Sequence, residues 1–258
     1  GAPFTFGFQK LGTNCGAVSP HCAVDISGMV YWMSSDGFYM FDGTVRKMPC
    51  SVEDFIFDNI DTTQLEQVYA GSNSAYGEVI WFYCSNDSNQ IDKYVIYNYQ
   101  EALWYTGTLD RSTWVDSGTY SLPYATKYDG TANTTVYVHE SGKNDDGSTM
   151  TSFIESGDFD IGDGENMMLI TRLLPDFKDQ VGNVNITLKS RYFPTDTQTE
   201  KGPFYYTTSS KRINPRTRGR QVSVQIKSNG YNNVNNDVIN EDWRLGTLRF
   251  DYQEDGKR

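Results

Sequence analysis

Val24-Asp25-Ile26-Ser27-Gly28-Met29-Val30-Tyr31-Trp32-Met33 reads as strand, tight turn, strand. The break at Ser27-Gly28 is too short for anything but a hairpin, and Gly supplies the positive φ that such turns demand. The chain then passes through Ser34-Ser35-Asp36-Gly37 into Phe38-Tyr39-Met40-Phe41 and turns again at Asp42-Gly43. Aromatic and β-branched runs separated by Asp-Gly predict a meander of short antiparallel strands.

Outward from this stretch the format recurs. Glu78-Val79-Ile80-Trp81-Phe82-Tyr83 is followed by a polar turn and by Lys93-Tyr94-Val95-Ile96-Tyr97-Asn98-Tyr99, with Leu103-Trp104-Tyr105-Thr106 beyond and Trp114 in the following link. A weaker copy runs Ala125-Thr126-Lys127-Tyr128, Asp129-Gly130, then Thr135-Val136-Tyr137-Val138-His139-Glu140. Meanders repeating every roughly 40 to 50 residues resemble propeller blades. About three units fit between residues 17 and 142, whereas a propeller closes with at least about four blades. The expectation is a partial β-propeller over residues 1–142, completed by residues that precede the segment; an open stack is the alternative. The opening Gly1-Ala2-Pro3-Phe4 has no initiator Met and fits the first of these.

Ser51-Val52-Glu53-Asp54-Phe55-Ile56-Phe57 predicts a short helix capped by Ser51, and a second turn is expected over Thr62 to Val68 with Asp61 or Thr62 as cap. The rhythm breaks at Gly142-Lys143-Asn144-Asp145-Asp146-Gly147-Ser148. Longer strands are expected after it: Met150–Glu155, Met167–Leu174, Asn183–Arg191, Gly202–Thr208, Gly219–Ser228 and Trp243–Asp251. Val184-Asn185-Ile186-Thr187-Leu188-Lys189 and Val222-Ser223-Val224-Gln225-Ile226-Lys227 alternate strictly, so one face is buried and one is wet. Residues 143–258 are therefore expected to form a β-sandwich or jelly-roll-like domain. Asn229 to Asn240 reads as an exposed loop and Gly256-Lys257-Arg258 as a ragged end.

Composition narrows the function. The 258 residues carry a formal charge of −11, with 18 Tyr, 14 Phe and 5 Trp. That is too aromatic for a disordered chain, and no run approaches the roughly 18 apolar residues of a membrane-spanning helix. Net negative charge opposes nonspecific attraction to phosphate backbones. Cys15, Cys22, Cys50 and Cys84 match no zinc spacing and include no CxxC pair, which favours reduced thiols over one disulfide or a metal.

Catalytic signatures are sparse. Only His21 and His139 are present, in different repeats, and His21 and Cys22 would point to opposite faces of a strand. Asp158, Asp160, Asp163 and Glu165 form the densest acidic loop, a candidate calcium site without the spacing of a helix-flanked calcium loop; an ordinary solvated turn is the rival reading. No nucleophile elbow, phosphate loop or dinucleotide fingerprint occurs, and Cys15 beside Gly16 lacks a base. No enzymatic activity and no cofactor are expected.

Two features point to surfaces. Lys211, Arg212, Arg216, Arg218 and Arg220 form one basic run, with the last three on one face if the strand starts early. They read as interface residues pairing with the abundant carboxylates of this chain or a neighbour, or as cations facing DNA. Trp32, Trp81 and Trp104 recur at equivalent positions and read as core before sugar platform.

Several pieces together resemble tail proteins of short-tailed bacteriophages. They are Asn14-Cys15-Gly16, the run from Val30 to Phe38, Tyr97-Asn98-Tyr99 with Trp104, Ile154 to Gly164, Arg218-Gly219-Arg220-Gln221-Val222, and Trp243 to Asp251, collinear over nearly the whole chain. The resemblance implies the C-terminal part of a tail hub or nozzle protein. It would sit in a homo-oligomeric ring, usually of six copies, between portal-adaptor and distal tail proteins, with double-stranded DNA passing through. The expected location is the virion tail, assembled in the host cytoplasm. A glycan-binding or glycan-cleaving receptor-recognition protein is the alternative, and a secreted calcium-dependent adhesin a third.

Overall fold

The computed structural model describes residues 9–131, 134–229 and 241–257. The chain divides into two compact units, Gly1–Ser141 and Gly142–Arg258. The sequence expectation for residues 229–240 lies outside the described residues apart from Asn229.

In the first unit, β1 (Ala23–Ile26), β2 (Met29–Ser34), β3 (Gly37–Phe41) and β4 (Val45–Lys47) form one antiparallel meander. The β1–β2 turn is made by Ser27 and Gly28, with φ of 54° and 86°, the paired positive values of a tight primed hairpin. Helix α1 (Glu53–Phe57) and a 3-10 turn (Thr62–Gln67) lead into a second meander: β5 (Tyr69–Asn73), β6 (Glu78–Tyr83), β7 (Lys93–Asn98) and β8 (Leu103–Thr108). A three-stranded sheet follows, β9 (Thr113–Val115), β10 (Tyr124–Tyr128) and β11 (Thr134–Val138), in the order β11-β10-β9.

Apolar burial joins these sheets. Cys22, Tyr31, Met33 and Phe38 of the first meander share one core with Val79, Trp81, Tyr83 and Val95 of the second. The opposite face of β6 contributes Ile80, Phe82 and Cys84 to another core with Trp114 and Ala125. Because β6 is buried on both faces, it reads as a continuous apolar run. Trp114 approaches β5 at Gly71 so closely that a Cβ there would lie 2.5 Å from the indole ring.

The helix starts later than the sequence suggested. Val52 occupies the cap position and makes no side-chain cap bond, so Ser51 does not cap α1. Asp61 does cap the 3-10 turn, accepting from the Thr63 N–H at 2.8 Å.

In the second unit, β12 (Phe153–Glu155), β13 (Asn166–Val181), β14 (Val184–Arg191), β15 (Thr199–Tyr206), β16 (Thr217–Gly219), β17 (Gln221–Ser228) and β18 (Asp242–Lys257) make two sheets. Their orders are β12-β17-β14-β15 and β16-β13-β18. Strict alternation along β14 turns Val184, Ile186 and Leu188 into a core with Met168, Ile170 and Leu173 of β13 and Val222, Val224 and Ile226 of β17. The 16-residue strands β13 and β18 pair through several bulges, which let long strands twist without breaking. Of the segment expected to fray, Gly256-Lys257-Arg258, the first two residues end β18, where Asn166 pairs with Lys257, and Arg258 lies outside the described residues.

The chain is thus all-β, but the expected partial β-propeller followed by a β-sandwich or jelly roll is overturned. Among the described residues the strands lie in five separate open antiparallel sheets, none closed on itself or curled into a barrel. Hairpin signals are local, whereas closure depends on how sheet edges meet, and period-two alternation does not encode that.

Candidate interface

The basic run is laid out by alternation. Ile213, Pro215, Thr217 and Gly219 are buried, while Arg212, Asn214, Arg216 and Arg218 are exposed. Backbone pairing enforces this pattern. Ile213 exchanges hydrogen bonds with Leu173 at 2.9 and 3.0 Å, and β16 pairs with Met168–Ile170 of β13. Thr217 to Gly219 therefore presents one row of side chains outward.

The cations on that row differ in their partners. Arg218 pairs with Asp255 and also donates to its carbonyl at 3.0 Å. Arg220 leaves the row half-buried, its guanidinium 5.3 Å from the Phe193 ring centroid, its Nε enclosed without a hydrogen-bond acceptor. Among the described residues, Lys211, Arg212, Arg216 and Arg220 make no ion pair. Among the described residues, the intramolecular pairing that the sequence allowed for this run is realised at Arg218.

The acidic loop is put to structural use at one end. Asp158 pairs with Arg191 and accepts from Gln198 Nε2 at 3.0 Å. Asp160, Asp163 and Glu165 lie in or beside the turn before β13. Among the described residues, no three His, Cys, Asp or Glu side chains are placed to hold a metal ion. All four cysteines are free thiols. Burial pushes the Cys50 and Cys84 thiols up to about 11, which disfavours the reactive thiolate.

The tryptophans behave as structural staples. Trp32, Trp81, Trp104 and Trp114 donate their indole N–H groups to the carbonyls of Cys15, Cys22, Pro49 and Ser72, at 2.7, 3.0, 2.9 and 2.7 Å. Trp81 packs between Phe38 and Trp104, with centroids at 4.9 and 6.1 Å. Trp81 and Trp114 lie in the buried cores, and Trp32 and Trp104 pack against the first of them half-buried.

One polar cluster was not foreseen from the sequence. Arg111, 4% exposed, donates from Nε to His139 Nε2 at 3.0 Å, pairs with Asp110 and lies 4.2 Å from the Tyr137 ring centroid. An Arg beside Asp on a polar link looks like solvated surface in sequence. Its burial becomes visible only when β11 brings Tyr137 and His139 over it. Through this bond and the ring contact of His139 with Trp114, at 4.8 Å between centroids, the cluster ties the end of β11 to the link before β9.

No helix among the described residues is long and apolar enough to cross a membrane. Neither the protein-family models nor the curated proteins compared with this chain match it.

Proposed function

We propose that the chain is a structural assembly segment of a short-tailed phage tail, one subunit of the hub or nozzle ring through which DNA leaves the virion. The observation that carries this reading is the set of open sheet edges with uncovered apolar side chains. β11 ends its sheet with Val136 and Val138 exposed at 61% and 46%. β12 ends another with Phe153 and Ile154 exposed at 65% and 54%.

A free edge of this kind is a liability for an isolated monomer, because it offers a row of unpaired backbone groups beside apolar surface. In a permanent assembly the same edge becomes a joint. Heterologous edges that repeat around an axis close into a ring, and a ring makes a conduit. The collinear resemblance to tail proteins supports the same reading, as does a net charge of −11, which repels passing phosphate rather than gripping it.

Cryo-electron microscopy of the native full-length assembly tests it. The expected result is a ring of copies, six on the tail-protein resemblance, around a central channel next to portal-adaptor and distal tail proteins. A monomer or a small closed oligomer with an aromatic-lined pocket would overturn the proposal in favour of glycan recognition.

A further inference from the structure

We infer that the basic strip of the second unit docks on an acidic face of the first unit in a neighbouring copy of the same chain. This rests on the ring-subunit reading above and identifies one of its joints.

The acidic face is as unbalanced as the strip. From Met48 to Asp92 the chain carries eight carboxylates and no Lys or Arg. Asp54 and Asp58 stand one turn apart on and just after α1, a like-charge spacing that costs local stability. The loop bearing Asp87 is stitched to them, since Asn86 donates from Nδ2 to the Asp58 carbonyl at 3.1 Å. The 3-10 turn bearing Glu66 is tied to the same loop by Gln67 Nε2 donating to the Asn89 carbonyl at 3.1 Å. Asp54, Asp58, Glu66 and Asp87 are exposed and make no ion pair among the described residues. Phe55, 63% exposed, stands between the first two.

A protein with 33 carboxylates and 22 basic residues has acids to spare. Among the described residues, Lys211, Arg212, Arg216 and Arg220 nevertheless lack carboxylate partners, while a separate surface collects carboxylates of which Glu53 alone has a cation partner, Lys47. Complementary patches on different parts of one chain make a head-to-tail contact, which repeats until it closes. Phe55 supplies an aromatic anchor of the type that dominates protein interfaces, and guanidinium groups stack well on such rings. Duplex DNA is the competing occupant of the strip. It leaves the acidic face and Phe55 without a role.

The test is a charge-swap experiment on the full chain, read by analytical ultracentrifugation across a concentration series. Wild type is expected to self-associate at low salt and to weaken at least about tenfold in 0.5 M NaCl, where the screening length falls to a few ångströms. R212E/R216E and D54K/D58K should each be monomeric alone and should associate when mixed, because each retains the face the other lacks. All four side chains are exposed, and thermal melts check the fold; R212Q/R216Q, a milder change, should weaken association by an intermediate factor. Self-association that survives both reversals would overturn the inference and leave the ring reading standing. So would loss of binding to a 30-base-pair duplex in R212E/R216E with self-association unchanged. A wild type monomeric at every concentration and salt would overturn the inference together with the reading it rests on.

Discussion

The two units solve the same problem with different chemistry. In the first, aromatic side chains fill the space between meanders, and each of its four tryptophans ties its sheet to a carbonyl in another segment. In the second, aliphatic residues alternate along β14 and β17, and the core is closed by their mutual burial. Trp243 packs edge-on against Phe177 but buries its Nε1 without an acceptor. Apolar contact alone is indifferent to small slips, whereas an indole N–H must meet a particular oxygen. The first unit is therefore specified by directional bonds, and the second by the period of its strands.

The largest expected effects come from removing the centre of each core. Trp81→Ala should cost about 3–5 kcal/mol by emptying a fully buried site. It should also abolish much of the near-ultraviolet aromatic signal, because Phe38 and Trp104 lose their shared neighbour. Ile186→Ala should cost about 2–5 kcal/mol while leaving that signal intact, as read by urea denaturation followed with near-ultraviolet circular dichroism. Equal loss of the aromatic signal in both variants would break the distinction between the units.

A finer separation uses conservative changes. Trp114→Phe keeps a ring but strands the Ser72 carbonyl, and should cost about 1 kcal/mol or more. Trp243→Phe removes a buried donor that has no acceptor, so relief of its desolvation, about 1–3 kcal/mol, offsets the lost ring contact. The expected outcome is a clear drop in melting temperature for the first and little change for the second. A similar contrast holds for caps: Asp61→Ala should cost about 1 kcal/mol, and Ser51→Ala should fall within about 0.5 kcal/mol of wild type.

Much of this division was legible in the sequence at the level of strands, and little at the level of sheets. Ser27-Gly28 and the alternation from Val184 to Lys189 carry their structure locally, so hairpins and buried faces can be read from them. The pairing of Met168 with Glu254, or of Ile186 with Ile226, spans tens of residues, and nothing in either segment names its partner. Gly256-Lys257 reads as an end in the sequence because its order comes from β13, not from its own side chains. The basic run was visible as charge, but the pairing of Arg218 with Asp255, and the lack of an ion pair at its four neighbours among the described residues, depended on where β18 lies.

The smallest and most discriminating effects concern two glutamates with opposite shifts. Burial, followed by repulsion from Glu140, raises Glu78 above the ordinary carboxylate value of 4.5, with Asn73 donating to both carboxylates. A raised carboxyl binds its proton more tightly in the folded state, so stability falls as pH climbs from 4.5 through the raised value. Glu78→Gln should therefore stabilise the first unit near pH 7 and make progressively less difference toward about pH 4. Glu155 is lowered, chiefly by its hydrogen bond from Lys189 at 2.7 Å. Its contribution is present above 4.5 and is lost as pH falls through the lowered value, so Glu155→Gln should cost about 1 kcal/mol or less near neutrality and nothing in acid. Urea titrations of both variants across that range should give difference curves of opposite sign. Curves of the same sign would mean that the Asn73 bridge holds Glu78 charged in the folded protein, and that the first unit tolerates a half-buried carboxylate pair without penalty.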